Sequence, residues 1–459
     1  MASSVIVTCV SAGYVIAVVG AATAGAEAAG TLAERAAIVV VFEQNARPYG
    51  KIEDGLPRWH VKLRQKEYAT VDQRLDRPEV HFVPLTKIGR DIDFRALVAE
   101  WGFTAVILAV GAWRDRPLPI EGADQYVGRG LIYQNPFIYW FNHFCEDGYT
   151  GPRYQIEDGA IVVGGGLASL DVIKVLQLET VRLALERRGI HEDVLHLEAA
   201  GIPDALAAHG LSWDALGLKG ATLFHRRRIE DMELTEIPDY TDAARRQKLE
   251  ATRRRILERA MQKYMFQVRP QRVPVGLLVE SDRLVGLRFQ RTDIASARMI
   301  PVEGAIEEVR APLVVSSIGS IPVPLPGIPQ LGEVYDFTDP ELGRVAGYDM
   351  VFGAGNAVTG KGNLLAARKH GIQVGTHVIE QFLGLDGHHV GEEAALDAIT
   401  GSVKDSVGRI AEWLRTRPPL DSDKVDAIVR RVRARQRAVG YSGSYREWIK
   451  RHAPAEVTP

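Results

Sequence analysis

The sequence predicts an α/β protein of two three-layer domains followed by a helical tail. Three observations predict it. An apolar strand pattern runs into a glycine turn and a helix pattern at Val15–Glu43, VIAVVGAATAGAEAAGTLAERAAIVVVFE. The same succession returns at Ala160–Asp171, AIVVGGGLASLD. From Gly391 onward the chain is mostly charged and helical in pattern. Strand, tight turn, helix and strand in this order open a parallel sheet of the βαβ kind. A length of 459 residues suffices for two or three domains with ample core.

In the first unit, Val15–Val19 is a strand, Gly20 to Gly25 the turn, and Ile38–Phe42 the second strand, ending at Glu43. The spacing suits a dinucleotide site. The first helix N-terminus faces a pyrophosphate, and the acid after the second strand takes ribose hydroxyls. The fingerprint Gly-x-Gly-x-x-Gly has one change, because its second glycine is Ala22. An ordinary βαβ unit with a tight turn would read the same way.

A loop rich in Gly and Pro follows, from Asn45 to Pro57. Helix patterns start at Val61 and at Phe94, with a short strand at Val80–Val83 between them. Thr104–Val110 is a buried strand ending in Gly111-Ala112. In the second unit the turn is Gly164-Gly165-Gly166-Leu167-Ala168-Ser169, a Gly-x-Gly-x-x-Ser variant. A helical insertion over roughly 180–216 delays the next strand, Ala221–Phe224, which ends in His225-Arg226-Arg227-Arg228. Arginine where the first unit has Glu43 suits a 2′-phosphate and points to NADP; an exposed basic turn is the alternative. Val275–Thr292 reads as a hairpin, Leu313–Ile318 as a buried strand, and Met350–Gly355 as a third strand running into a turn at Asn356.

Composition narrows the function. A net charge of −2 argues against a nucleic-acid binder. The two cysteines, Cys9 and Cys145, form no Cys-x-x-Cys, which excludes a redox dithiol and a cysteine-held metal or cluster and suits a reducing, cytoplasmic setting. Met1–Ala26 has no charged side chain, but it lacks the basic start of a signal peptide and merges into the first βαβ unit. Residues 1–14 are expected to be a loose leader, with no membrane span. Arg245–Lys263 is a helix pattern with eight Lys/Arg against two Asp/Glu, either a docking surface for an acidic partner or a solvated face. Arg430, Arg431, Arg433, Arg435 and Arg437 form a second basic cluster, expected to be a surface helix first and a partner site second.

Taken together, the chain resembles the adrenodoxin-reductase type of ferredoxin–NADP reductase over nearly its whole length. Phe42-Glu43-Gln44 through Pro48-Tyr49-Gly50-Lys51 is similar to that family's acid-to-Pro-aromatic-Gly loop. Ile88-Gly89-Arg90-Asp91 resembles its Val-Gly-Arg-Asp segment, and Trp140-Phe141-Asn142 its Trp-Tyr-Asn segment. Gly164–Asp171 looks like its NADP turn, Arg226-Arg227 its paired arginines, and Ser316-Ser317-Ile318-Gly319 its Ser-Ser-Ile-Gly strand end.

The resemblance implies two Rossmann-like nucleotide-binding domains, the NADP domain inserted into the FAD domain. FAD would occupy 1–155 with 313–390, NADP(H) would occupy 156–312, and 391–459 would be a helical extension. The implied FAD contacts are Gly20, Ala22, Thr23, Ala24, Gly25, Glu43, Gln44, Gly50, Lys51, Ile88 and Gly111, then Gly355, Asn356, Gly362, Asn363 and Leu364. The implied NADP contacts are Gly165, Gly166, Leu167, Ala168, Arg226 and Arg227, with Gly362 near the nicotinamide. Besides Ala22, the chain departs from the family at Asn356 (a tryptophan there), Pro238 (a glutamate) and Lys51 (an apolar residue). The implied activity is electron transfer from NADPH through FAD to a small acidic ferredoxin-like protein, with no general acid or base demanded. The alternatives are an electron-input subunit similar to the glutamate synthase small subunit, against which the missing N-terminal cysteine-rich segment weighs, or a non-catalytic flavin- or nucleotide-binding partner protein.

Overall fold

The computed structural model describes residues 13–35, 37–234, 243–295, 298–339, 342–359 and 393–454. The first lobe opens with β1 (Val15–Val19), α1 (Thr23–Ala33) and β2 (Ile38–Phe42). It continues through α2 (Lys51–Asp54), α3 (Val61–Leu75), β3 (Val80–Val83) and β4 (Ala105–Leu108). Both faces of β1, β2 and β4 are buried, which explains why each is an unbroken apolar run rather than an alternating one.

The second lobe contains β5 (Leu131–Tyr133), α4 (Gln134–His143), β6 (Ile161–Gly164), α5 (Leu167–Glu186), β7 (Thr222–Phe224), α6 (Ala243–Tyr264) and β8 (Gln267–Arg269). A meander follows: β9 (Arg272–Glu280), β10 (Arg283–Ala295) and β11 (Arg298–Arg310). The chain then forms β12 (Val314–Ser317), β13 (Phe337–Asp339), β14 (Arg344–Val345) and β15 (Val351–Gly353), and ends in α7 (Glu393–Leu414), α8 (Ser422–Ala438) and α9 (Tyr445–Arg451).

One sheet has the order β13-β14-β15-β4-β1-β2-β3, with β15, β4, β1, β2 and β3 parallel. The strand expected over Thr104–Val110 thus returns to β1, and that expected over Met350–Gly355 pairs with β4. A second, fully parallel sheet has the order β5-β12-β6-β7-β8. Its strand β12 lies between β5 and β6, so the expected boundaries at 155/156 and 312/313 cut through this sheet instead of separating the two. The physical reason is burial. Val314–Ser317 is covered on both faces and needs a parallel neighbour on each side, and in the first sheet β4 is already flanked by β1 and β15.

The hairpin expected over Val275–Thr292 is β9–β10, turning at Ser281 (φ 47) and Asp282 (φ 61), both left-handed as a two-residue hairpin turn requires. It gains a third strand, β11, and is held to the second sheet by Phe224 stacked on Phe289 at 4.0 Å. The chain crosses between the lobes in two places, and these crossings pair with each other antiparallel: Arg114 with Ile321, Asp115 with Ser320.

Of the C-terminal helices, α8 and α9 cover the β3 edge of the first sheet, while α7 packs on α1. Val403, Val407 and Ile410 join the core on the α1 face, as do Tyr441, Tyr445 and Trp448. Ile428 and Val432 join the core on the opposite face. Covering an edge strand in this way hides a row of unpaired backbone groups. No helix of the described residues is long and apolar enough to cross a membrane.

Candidate functional site

A cleft of about 620 Å³ opens over the first glycine turn, within the range of small-molecule and cofactor sites. The turn is built by close approach. Gly20 takes φ +97 and donates to Phe42 O at 2.8 Å; a Cβ there would lie 2.5 Å from Ala109 O. A Cβ on Gly25 would lie 1.8 Å from Gly20 O, so the third glycine is fixed by helix-to-turn packing. Ala22 caps α1 in extended conformation with no side-chain hydrogen bond, which leaves the first-turn N–H groups of α1 available to an anion. Its methyl group faces Gly50, where an added Cβ would stand 2.8 Å away.

Gly20, Ala22, Thr23, Ala24, Glu43, Gln44, Gly50, Lys51, Ile88, Gly111 and Gly355 all line this one cleft. Gly25 lies beneath it. Asn356 begins a short helix just beyond Gly355, while Gly362, Asn363 and Leu364 lie outside the described residues, as does Pro238. Glu43 sits at one end of the cleft. Its Oε2 accepts from Ala21 N–H and its Oε1 from Asn45 N–H, each at 2.9 Å. Burial pushes its carboxyl up to about 7 against these two stabilising hydrogen bonds.

At the other end, Lys51 Nζ donates to Asn135 Oδ1 (3.1 Å) and Ser320 Oγ (3.2 Å) and lies 5.4 Å from the Trp113 ring centre. Burial brings this amine down to about 8, opposed by the Asp115 carboxylate. Asp115 is itself pushed up to about 6 by burial, although the Asn135 N–H donates to it. Ser320 belongs to the paired crossings, and Asn135 is bonded to them through Asp115.

The second turn is tighter. Ser169 Oγ accepts from Gly165 N–H at 3.0 Å and donates to Ser317 O at 2.9 Å, so the serine of the variant motif ties α5 to β12. Gly165 has no room for a side chain, since its Cβ would fall 2.0 Å from His225 Nδ1. His225 hydrogen-bonds Gly164 O at 3.0 Å, and burial holds its pKa below the usual imidazole range. Reasoning from the sequence missed this histidine; its signal was a bulky ring at a strand end opposite three glycines. Gly166 caps α5, which starts at Leu167 and Ala168. Arg226 and Arg227 are exposed just past β7, and neither forms an ion pair among the described residues. His60 also went unnoticed in the sequence. It is fully buried, and its Nε2 lies 3.7 Å from Asp171 Oδ1 on α5, where the first lobe meets the second.

No family model matches the chain. Cindoxin reductase of Citrobacter braakii is 29% identical over 165 residues, a match spanning 35% of this chain and 34% of that protein. The mitochondrial NADPH:adrenodoxin oxidoreductase of Arabidopsis thaliana is 24% identical over 349 residues, 68% of this chain and 69% of that one. NADPH-ferredoxin reductase FprA of Mycobacterium tuberculosis is 26% identical over 444 residues, 88% of this chain and 90% of that one. Over most of its length the chain is similar to NADPH:adrenodoxin and NADPH-ferredoxin reductases. The solved structure of M. tuberculosis FprA in complex with NADPH shares the fold of this chain, with a TM-score of 0.59 at 21% identity over 92% of this chain and 90% of that one. The chain covers about a third of the cindoxin reductase and nine-tenths of FprA.

Proposed function

We propose that this chain is an FAD-dependent oxidoreductase that draws electrons from NADPH and delivers them to a small acidic ferredoxin-like iron–sulfur protein. The observation that carries the reading is the first cleft. It runs from Glu43 past the open N-terminus of α1 to Gly111 and Gly355, and so offers an acid, an anion-binding helix end and glycine-lined walls in the order a dinucleotide needs. Its residues fit FAD: Gly20 and Gly25 allow close approach, and Glu43 keeps unused lone pairs for hydroxyl groups. The second turn with Arg226 and Arg227 fits NADP(H), because exposed guanidinium groups suit a 2′-phosphate.

When bound, FAD would supply hydride acceptance from NADPH and one-electron release to the partner. The chain itself supplies position. α1 and Glu43 hold one cofactor, α5 and the arginines hold the other, and the two lobes set their approach. Helix α6 supports the docking of an acidic partner, since Arg246, Lys248, Arg254 and Arg255 are exposed on it. Some of its charge is spent internally: Arg254 pairs with Glu230, and Arg253 turns inward to Glu230 O. A reducing, cytoplasmic setting suits a chain with two cysteines far apart in sequence.

The test is spectroscopic. The purified protein should be yellow or become so with FAD, and anaerobic NADPH should bleach the flavin band. Cytochrome c reduction by NADPH should then require added ferredoxin. A colourless protein that cannot be loaded with FAD would refute the reading and favour a non-catalytic partner role.

A further inference from the structure

The order of strands orients any dinucleotide in the first cleft. Its pyrophosphate belongs at the N-terminus of α1, above β1. Glu43 follows β2 on one side of β1; Gly111 follows β4, and Gly355 follows β15, on the other. The ribose acid therefore marks the adenosine end, and the redox ring belongs beyond β4. Lys51 reaches that same end, because its Nζ bonds Asn135 and Ser320 and lies over Trp113, two residues past Gly111.

An ammonium carries three N–H donors. Among the described residues Lys51 Nζ has two acceptors, both neutral, so one donor is left for the cleft. Its charged neighbour, Asp115, faces the Asn135 N–H and forms no ion pair with it. Both neutral acceptors are themselves held. Asn135 Nδ2 donates to Trp113 O and to Ser320 Oγ, each at 3.0 Å, so the amine is fixed rather than swinging.

We propose that Lys51 is a cofactor-contacting residue that places its ammonium against the pyrimidine edge of the flavin and raises the ring's affinity for negative charge. This rests on the reading of the first cleft as an FAD site. The chemistry favours that edge, because the dimethylbenzene half has no hydrogen-bond acceptor. Taking up two electrons and one proton leaves the ring with one negative charge, which settles on the pyrimidine half. A fixed ammonium there stabilises the reduced ring over the oxidised one.

The test uses the FAD-loaded full chain, with Lys51→Met, Lys51→Gln and Lys51→Arg beside the wild type. Sulfite adds to flavin N5 and drives negative charge onto the pyrimidine half, so its affinity reads the local field without turnover. Lys51→Met and Lys51→Gln should bind sulfite at least tenfold more weakly, and Lys51→Arg should recover most of the loss. The two-electron potential should fall in the same variants, by about 30 mV for each tenfold change in the equilibrium. Neutral variants with sulfite affinity within twofold of wild type and a potential within about 9 mV of it, the same twofold in the equilibrium, overturn the proposal. So does a fall in sulfite affinity with no fall in potential, which would mean simple attraction of the anion. Folded neutral variants that lose FAD altogether assign Lys51 to holding the cofactor and overturn the electrostatic role. A wild-type chain that takes up no FAD fails at the earlier step, and overturns the cleft assignment itself.

Discussion

Ala22 and Gly50 face each other across the first cleft so closely that a Cβ on Gly50 would stand 2.8 Å from the Ala22 methyl group. The extra methyl in the fingerprint is thus matched by a missing side chain opposite it, at a residue whose φ of +49 also favours glycine. Ala22→Gly should keep or raise FAD affinity. Gly50→Ala should weaken FAD binding and cost roughly 1–3 kcal/mol of stability, as overpacking does. In the double variant part of that loss should return. Flavin-fluorescence titration and urea unfolding of all four proteins check this coupling. A marked loss of FAD affinity in Ala22→Gly would mean that the phosphates lie elsewhere.

Arg226 and Arg227 carry the proposed choice between cofactors. Changing both to Ala should weaken NADPH by ten- to a hundredfold and leave NADH within a few-fold. Stopped-flow flavin reduction over a range of each nucleotide measures it. Equal loss for both nucleotides would remove the 2′-phosphate assignment.

Glu43 makes the apoprotein sensitive to pH. Its carboxyl is raised from 4.5 to about 7 by burial, so the folded state binds a proton that the unfolded chain has already lost in that interval. Stability from this group is therefore greatest below pH 4.5, falls as pH rises to about 7, and is level above. At about 1.4 kcal/mol per unit the fall is roughly 3 kcal/mol. Glu43→Gln should flatten this slope whatever its absolute stability. Urea melts at pH 5 and pH 7.5 would show it, and an unchanged slope would contradict the raised value.

Arg435 holds the outer wall of the cleft. It donates to Thr86 Oγ1 at 2.9 Å and Leu85 O at 3.2 Å, and Thr86 lines the cleft beside Ile88. Nearby, Gln436 donates to Phe82 O and Trp448 to Ala46 O, each at 2.8 Å. Arg435→Ala should weaken FAD by about tenfold, the scale of one or two lost charged hydrogen bonds. Hydrogen exchange over residues 84–92 should quicken, whereas Arg433→Ala, with its side chain exposed, should change neither.

The glycine turns, the strands and the C-terminal helices were legible because each is a local pattern with a fixed period or spacing. The sheet that takes Val314–Ser317 was not. A four-residue apolar run suits any doubly buried strand, and its neighbours are chosen by tertiary packing. The second basic cluster was expected to be surface. Arg430, Arg433 and Arg437 are exposed, but Arg435 turns inward, and nothing in a run of arginines tells one helix face from another. The Lys51 network joins residues 84 and 269 positions away along the chain, beyond the reach of spacing arguments. The facing of Ala22 by Gly50 was hidden for the same reason.

The paired crossings at Arg114–Asp115 and Ser320–Ile321 mean that the chain leaves the first lobe and re-enters it at one spot. Everything from Arg116 to Gly319, including all of the parallel strands of the second sheet and the meander, is joined covalently to the first lobe only at that ladder, and side-chain contacts such as Asn142 Nδ2 to Glu53 O and His143 to Asp54 seat it there. A piece with neighbouring ends can be cut out, grafted or exchanged without tearing the host, because its removal leaves a gap that a short turn can close. The second lobe is in this sense a cassette. The nucleotide preference proposed for it can drift, or be swapped for another, while the cleft of the first lobe keeps its walls.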